Sequence, residues 1–134
     1  MPTTDFKAHD GLLAVQQTSE GERMRIALEG EMDLSNAEIA ATTLREALRC
    51  GKDVVVDLAK LSFLDSTGVA MLVTSIREGG RRLSFVPSEH DAVRRLLSLT
   101  GLDERMTFAS AVSLVPSAGE TSAEADGRNL SQVA

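Results

Sequence analysis

At 134 residues, with 14 basic against 20 acidic side chains and a net charge of −6, the chain has length enough for one buried core and the wrong sign for a nucleic-acid surface. Four Phe with no Trp or Tyr leave no stacking platform for bases, and a single cysteine, Cys50, excludes a disulfide framework. No apolar run reaches the length of a membrane span and Met1-Pro2-Thr3-Thr4-Asp5 does not open a signal peptide, so the expectation is a cytoplasmic protein without membrane contact.

Residues 1–10 carry no clear period and are expected to be a loose N-terminal arm. Leu12–Gln17 alternates weakly, with Leu13 and Val15 on one face of a short strand. After a turn at Glu20-Gly21-Glu22, Arg23–Glu29 alternates cleanly, Met24, Ile26 and Leu28 pointing one way. The two segments predict an antiparallel hairpin with one wet face. Gly30-Glu31-Met32-Asp33 reads as a polar loop, and Ser35 or Asn36 caps a helix running to about Arg49. Its inner stripe is Ala37, Ala40, Ala41, Leu44, Ala47 and Leu48, and Gly51 ends it.

Val54-Val55-Val56-Asp57-Leu58 is a buried strand by its β-branched run, bounded by Asp53 and Asp57. Beyond the Leu61–Leu64 stretch, Val69, Leu72, Val73 and Ile76 recur at helical offsets until Gly79-Gly80. Arg82–Val86 predicts a further strand, and Pro87-Ser88-Glu89-His90 leads into a helix bearing Ala92, Val93, Leu96 and Leu97, closed at Gly101. Met106–Ala109 is expected to add a short strand and Ala111–Val115 one more helical turn. From Pro116 the composition turns to Ser, Ala, Gly, Glu and Asp, which predicts a disordered tail over residues 116–134. Residues 11–115 are therefore read as one α/β domain, a mixed four- to five-stranded sheet with helices packed against it.

Most catalytic chemistry is missing. His9 and His90 have no ligand spacing around them, and Cys50, at a helix C-terminus with no second cysteine, reads as an inert thiol. Neither Gly-x-Gly-x-x-Gly nor a Walker loop is present, so no cofactor or metal is expected. Asp57 resembles the acceptor aspartate of a receiver domain, but the acidic pair and lysine that would accompany it are not in place; it reads as a strand-end or turn residue.

Asp65-Ser66-Thr67-Gly68 remains. It falls where a helix N-cap belongs, and either Asp65 or Ser66 suits the cap. A hydroxyl there stands beside unpaired N–H groups and the positive end of the helix dipole, which favours a phosphate. The loop Gly30–Asn36 leaves a neighbouring strand and is expected to lie alongside.

Val54–Leu58 followed by Leu61-Ser62-Phe63-Leu64-Asp65-Ser66-Thr67-Gly68 resembles the signature of the STAS domain in its anti-sigma factor antagonist branch. Gly30-Glu31-Met32-Asp33 is similar to that family's second-strand exit, and Arg94-Arg95-Leu96-Leu97 with Thr100-Gly101-Leu102 to its penultimate helix. The resemblance implies a non-enzymatic, bacterial partner-switching phosphoprotein of transcription regulation. It implies phosphorylation of Ser66 by an anti-sigma factor that is itself a serine kinase, and reversal by a PP2C-type phosphatase. The unphosphorylated form is implied to bind the anti-sigma factor and free the sigma factor. New charge beside Asp65 is then expected to be desolvated on docking and repelled by an acidic partner surface. Asp33, Ser35, Asp65, Thr67 and Gly68 match positions implied near the partner, with Thr67 where some members have a second serine. The competing expectation is a structural STAS subunit of a lipid-transport or stress-sensing complex, with Ser66 never modified.

Overall fold

Three consecutive valines with no polar side to turn toward water can only be satisfied inside a sheet, and Val54, Val55 and Val56 are at most 2% exposed. The computed structural model describes residues 3–9 and 11–109 of the chain. They form strands β1 (Thr3–His9), β2 (Leu13–Glu20), β3 (Arg23–Met32), β4 (Asp53–Asp57), β5 (Leu61–Leu64) and β6 (Leu83–Val86), and helices α1 (Ala37–Arg49), α2 (Ser66–Gly79) and α3 (Asp91–Leu99). The sheet runs β1-β2-β3-β4-β6, with β5 paired to β3. β1, β2 and β3 are antiparallel neighbours, whereas β3–β4, β3–β5 and β4–β6 are parallel. The valine strand is thus central, flanked on both sides, and the expected mixed sheet is present.

The sheet and helices share one core. Met24, Ile26 and Leu28 of β3, with Leu13 and Val15 of β2, meet Ala37, Ala40, Leu44, Ala47 and Leu48 of α1, all within the buried cluster. Of the stripe expected on α1, only Ala41 lies at its half-buried margin, and Thr43 replaces it inside, donating its hydroxyl to Ile39 O at 2.9 Å. α1 packs on β2, β3, β4 and α2, and α2 packs on β5 and β6. Arg82 ties the far ends together, its Nη2 donating to Leu48 O at 2.6 Å and Lys52 O at 2.7 Å.

Three expectations need correction, and the Leu61–Leu64 stretch takes a definite form. The N-terminal arm is an edge strand over Thr3–His9, because the outer edge of β2 offers a ladder of N–H and C=O groups that a passing chain can pair. Of the polar loop expected at Gly30–Asp33, residues 30–32 are instead the end of β3, with Met32 fully buried, and Asp33 lies just beyond it. Gly30 stays in the strand because it takes φ +105° and because a Cβ there would come within 2.1 Å of Leu12 O. Leu61–Leu64 is a strand, β5, which takes over from β4 as the partner of the far half of β3. The segment at 106–109 contributes only a single parallel bridge, Phe85 to Phe108, where a strand was expected. The helical turn expected at Ala111–Val115 and the tail over 116–134 lie outside the described residues.

β4 and β5 are separated by a turn that Asp57 builds. Its Oδ1 accepts from Ala59 N at 2.9 Å, Leu61 N donates to Leu58 O at 3.0 Å, and the Arg25 guanidinium pairs with the other carboxylate oxygen. Asp57 is therefore a strand-end residue with a structural role, as expected, and its turn delivers the chain to β5, which leads into α2.

Candidate functional site

At the exit of β5 the chain must change from an extended to a helical backbone, and Asp65 makes the change. It holds φ −101° and ψ −174°, its N–H donates to Met32 O at 3.3 Å, and its carbonyl accepts the first α-helical bond from Val69 N at 3.0 Å. Its Oδ1 accepts from Gly68 N at 3.0 Å. Of the two candidate caps, Asp65 is the one used. Ser66 begins the helix proper and is exposed; its hydroxyl makes no hydrogen bond among the described residues. The N–H groups of Ser66 and Thr67 are likewise without an acceptor among the described residues, as first-turn groups are unless something caps them.

Gly68 is buried rather than displayed. A Cβ on it would lie 2.2 Å from Leu64 Cδ1 and 3.2 Å from Met32 Cε, so a glycine lets the first turn of α2 settle onto the ends of β3 and β5. Thr67 is half-buried and lines a groove of about 310 Å³ between α1 and α2, together with Leu34, Ala37, Ala41 and Ala70.

The loop from Asp33 to Asn36 meets this turn directly, because Leu34 N donates to Asp65 Oδ2 at 3.2 Å. Asp65 thus caps α2 with one oxygen and holds the loop with the other. Asp33 Oδ1 accepts from Ser35 N at 2.9 Å and from Ser35 Oγ at 2.6 Å, while Asp33 O accepts from Asn36 N and Ala37 N. Asn36, expected only as a possible cap, is fully buried and staples the loop from beneath. Its Oδ1 accepts from Asp33 N at 2.9 Å and its Nδ2 donates to Glu31 O at 3.0 Å. It precedes α1 but makes no side-chain cap bond to it. Asp33, Ser35, Asp65, Thr67 and Ser66 therefore gather at one edge of the sheet, with Gly68 beneath them. The residue that sequence reasoning undervalued is Asn36; the usable signal is an Asn at a strand-to-helix turn, whose amide can serve a backbone donor and a backbone acceptor together.

The other candidates fall away on geometry. His90 is exposed before α3, its N–H donating to Ser88 Oγ at 2.9 Å, and Cys50 is exposed at the end of α1. Among the described residues no group of three or more His, Cys, Asp or Glu is placed to hold a metal ion. No helix among them is long and apolar enough to cross a membrane. An open groove of about 470 Å³ on the outer face of β2 and β3 contains Glu20, Arg25, Glu29, Asp57, Lys60 and Glu89, and there the Asp57 carboxylate is already engaged by Arg25 and the Ala59 turn.

What results is a mixed α/β sheet that presents a serine, unbonded among the described residues, at a capped helix start beside an acidic loop held by its own hydrogen bonds. The family model described as Mlab, STAS domain matches residues 15–116, and the chain belongs to the STAS domain family. An anti-sigma factor antagonist from Mycobacterium paratuberculosis superposes with a TM-score of 0.66 at 21% identity, over 74% of this chain and 87% of that one. The unphosphorylated form of the anti-sigma factor antagonist SpoIIAA gives 0.61 at 21% identity over 75% and 92%. The phosphorylated form of SpoIIAA, the Bacillus cell fate determinant, gives 0.55 at 22% over 75% and 96%. At these identities the likeness is one of fold. No curated protein matches the chain in sequence.

Proposed function

We propose that the chain is a non-enzymatic anti-sigma factor antagonist switched by phosphorylation of Ser66. The observation that carries this is the division of labour at the helix start: Asp65 supplies the cap, which leaves the exposed Ser66 hydroxyl free for chemistry. In its unphosphorylated form the chain binds an anti-sigma factor that is a serine kinase, and so releases the sigma factor. Ser66 Oγ attacks the γ-phosphorus of ATP held by that kinase, its proton passes to a base of the kinase, and ADP leaves. The phosphoserine carries nearly two negative charges, which the two open N–H groups and the helix dipole tolerate without unfolding α2. Docking then fails because that charge must be desolvated and stands against the nucleotide phosphates left in the kinase site. A PP2C-type phosphatase restores the free hydroxyl.

That SpoIIAA has been solved in both unphosphorylated and phosphorylated forms on this same fold supports the reading. The experiment is incubation of the full chain with a purified serine-kinase anti-sigma factor and ATP, followed by phosphosite mapping. Label should appear on Ser66 alone, be absent from Ser66→Ala, and be absent with ATP and no kinase. A second reading, a STAS subunit of a lipid-transport or stress-sensing complex with Ser66 unmodified, is favoured by the match to the Mlab, STAS domain family. It predicts stable association with partner subunits and no labelling under any of these conditions.

A further inference from the structure

An exposed leucine on a floppy loop is unremarkable; a leucine held outward by a built loop is not. Leu34 is 77% exposed, yet its N–H is fixed to Asp65 Oδ2, and the Asn36 side chain accepts from Asp33 N and donates to Glu31 O. The hydrogen bonds fix the backbone on both sides of Leu34 while its side chain stays in water, at the mouth of the groove between α1 and α2. Such a side chain has already lost much of its freedom, so burying it against a partner costs little further ordering. The charge nearest to it is acidic, and Arg45, the one cation among the described residues that line the groove, lies further along α1 and is accompanied there by Glu38 and Glu78. Glu31, Asp33, Glu38 and Asp65 surround this edge, and neither residues 30–40 nor residues 61–70 contain a Lys or Arg.

We propose that Leu34 is the apolar anchor through which this chain docks its anti-sigma partner, seated in an apolar slot of the partner that is rimmed by Lys or Arg. This rests on the partner-binding reading above. It replaces the expected acidic partner surface with a cationic one, because an acidic rim would meet four carboxylates. Asp65 is then a positioning residue as well as a cap, since it sets where Leu34 stands relative to Ser66. Leu99, on α3, supplies a matched control: it is 78% exposed but belongs to a different face.

The test titrates the full chain, Leu34→Ala and Leu99→Ala against each purified serine-kinase anti-sigma factor of the source genome, with ADP present, by calorimetry. Leu34→Ala should weaken binding by about tenfold or more with its melting temperature unchanged, and Leu99→Ala should bind as wild type. Raising the salt should weaken the wild-type complex, as attraction between a carboxylate edge and a cationic rim requires. Wild-type binding that Leu34→Ala keeps within about twofold, or that both alanine variants lose equally, overturns the anchor and leaves the proposed function standing. Affinity indifferent to salt overturns the cationic rim. Wild-type binding to none of the kinases overturns the proposed function and this inference with it.

Discussion

Replacing Asp65 with alanine removes one carboxylate and two hydrogen bonds of different worth. The half-buried bond from Gly68 N is an N-cap, for which alanine substitution costs about 1 kcal/mol. The bond from Leu34 N is exposed, so water can replace much of it, and its loss adds about 0.5 kcal/mol. The sum, about 1.5 kcal/mol, should lower the melting temperature by about 6–12 °C for an ordered domain of this size. Ser66→Ala removes a hydroxyl with no partner among the described residues and should change stability by less than about 0.5 kcal/mol. Asp65→Asn keeps one carbonyl oxygen for Gly68 but turns an amide NH₂ toward Leu34, so it should fall between the two. Differential scanning calorimetry on the three variants orders them. If Ser66→Ala falls as far as Asp65→Ala, or Asp65→Ala melts with wild type, the assignment of the cap to Asp65 is wrong.

Other outcomes follow from neighbouring contacts. In the binding assay Ser66→Ala should hold the anti-sigma partner persistently, whereas Ser66→Asp should fold normally and bind weakly; equal affinity for all three forms, with no phosphate transfer to wild type, removes the switch. Asn36→Ala should cost about 1–3 kcal/mol in urea unfolding, because Asp33 N and Glu31 O both lose their partner in a part-buried site. Gly30→Ala should be at least as damaging by the same measurement, since its Cβ would overlap Leu12 O at φ +105° and the neighbour is backbone that has nowhere to go. A wild-type urea midpoint for either variant would contradict the contacts described.

The elements that could be read from the sequence are those whose identity is decided by their own residues. Three valines in a row leave no wet face, and Met24, Ile26 and Leu28 can point inward only as a strand; both were legible for that reason. β1 and β5 are decided elsewhere. β1 forms because the edge of β2 is there to pair with, and nothing periodic in Thr3–His9 announces it. β5 is four residues long with Leu61 and Leu64 buried at its two ends, a spacing of three that follows from a register shift opposite Gly30 and mimics a helical offset. At the site, Ser66, Asp65, Asp33 and Ser35 were legible as a group because strand exits of a parallel sheet share one edge. Which oxygen caps the helix was not, since Asp and Ser are equivalent caps until the backbone angles of residue 65 are known.

The long third strand changes partners midway, and that division gives the two ends of the domain different resistance to opening. Toward its start, β3 lies beside β4, and β4 is bonded on its far side to β6, so each ladder is backed by another. Toward its end, β3 lies beside β5, and among the described residues β5 joins no second strand; the Ser88 hydroxyl, at 2.8 Å from Leu61 O, and helices α2 and α3 pack against it instead. The Asp57 turn is the seam between the two regions. Amide protons of Val54–Val56 should therefore exchange only through global unfolding, whereas those of Phe63, Leu64 and Asp65 should exchange through a smaller, cheaper fluctuation that leaves the valine ladder intact. Loosening of β5 is thus confined to that end of the sheet, while the rest of the sheet keeps its register.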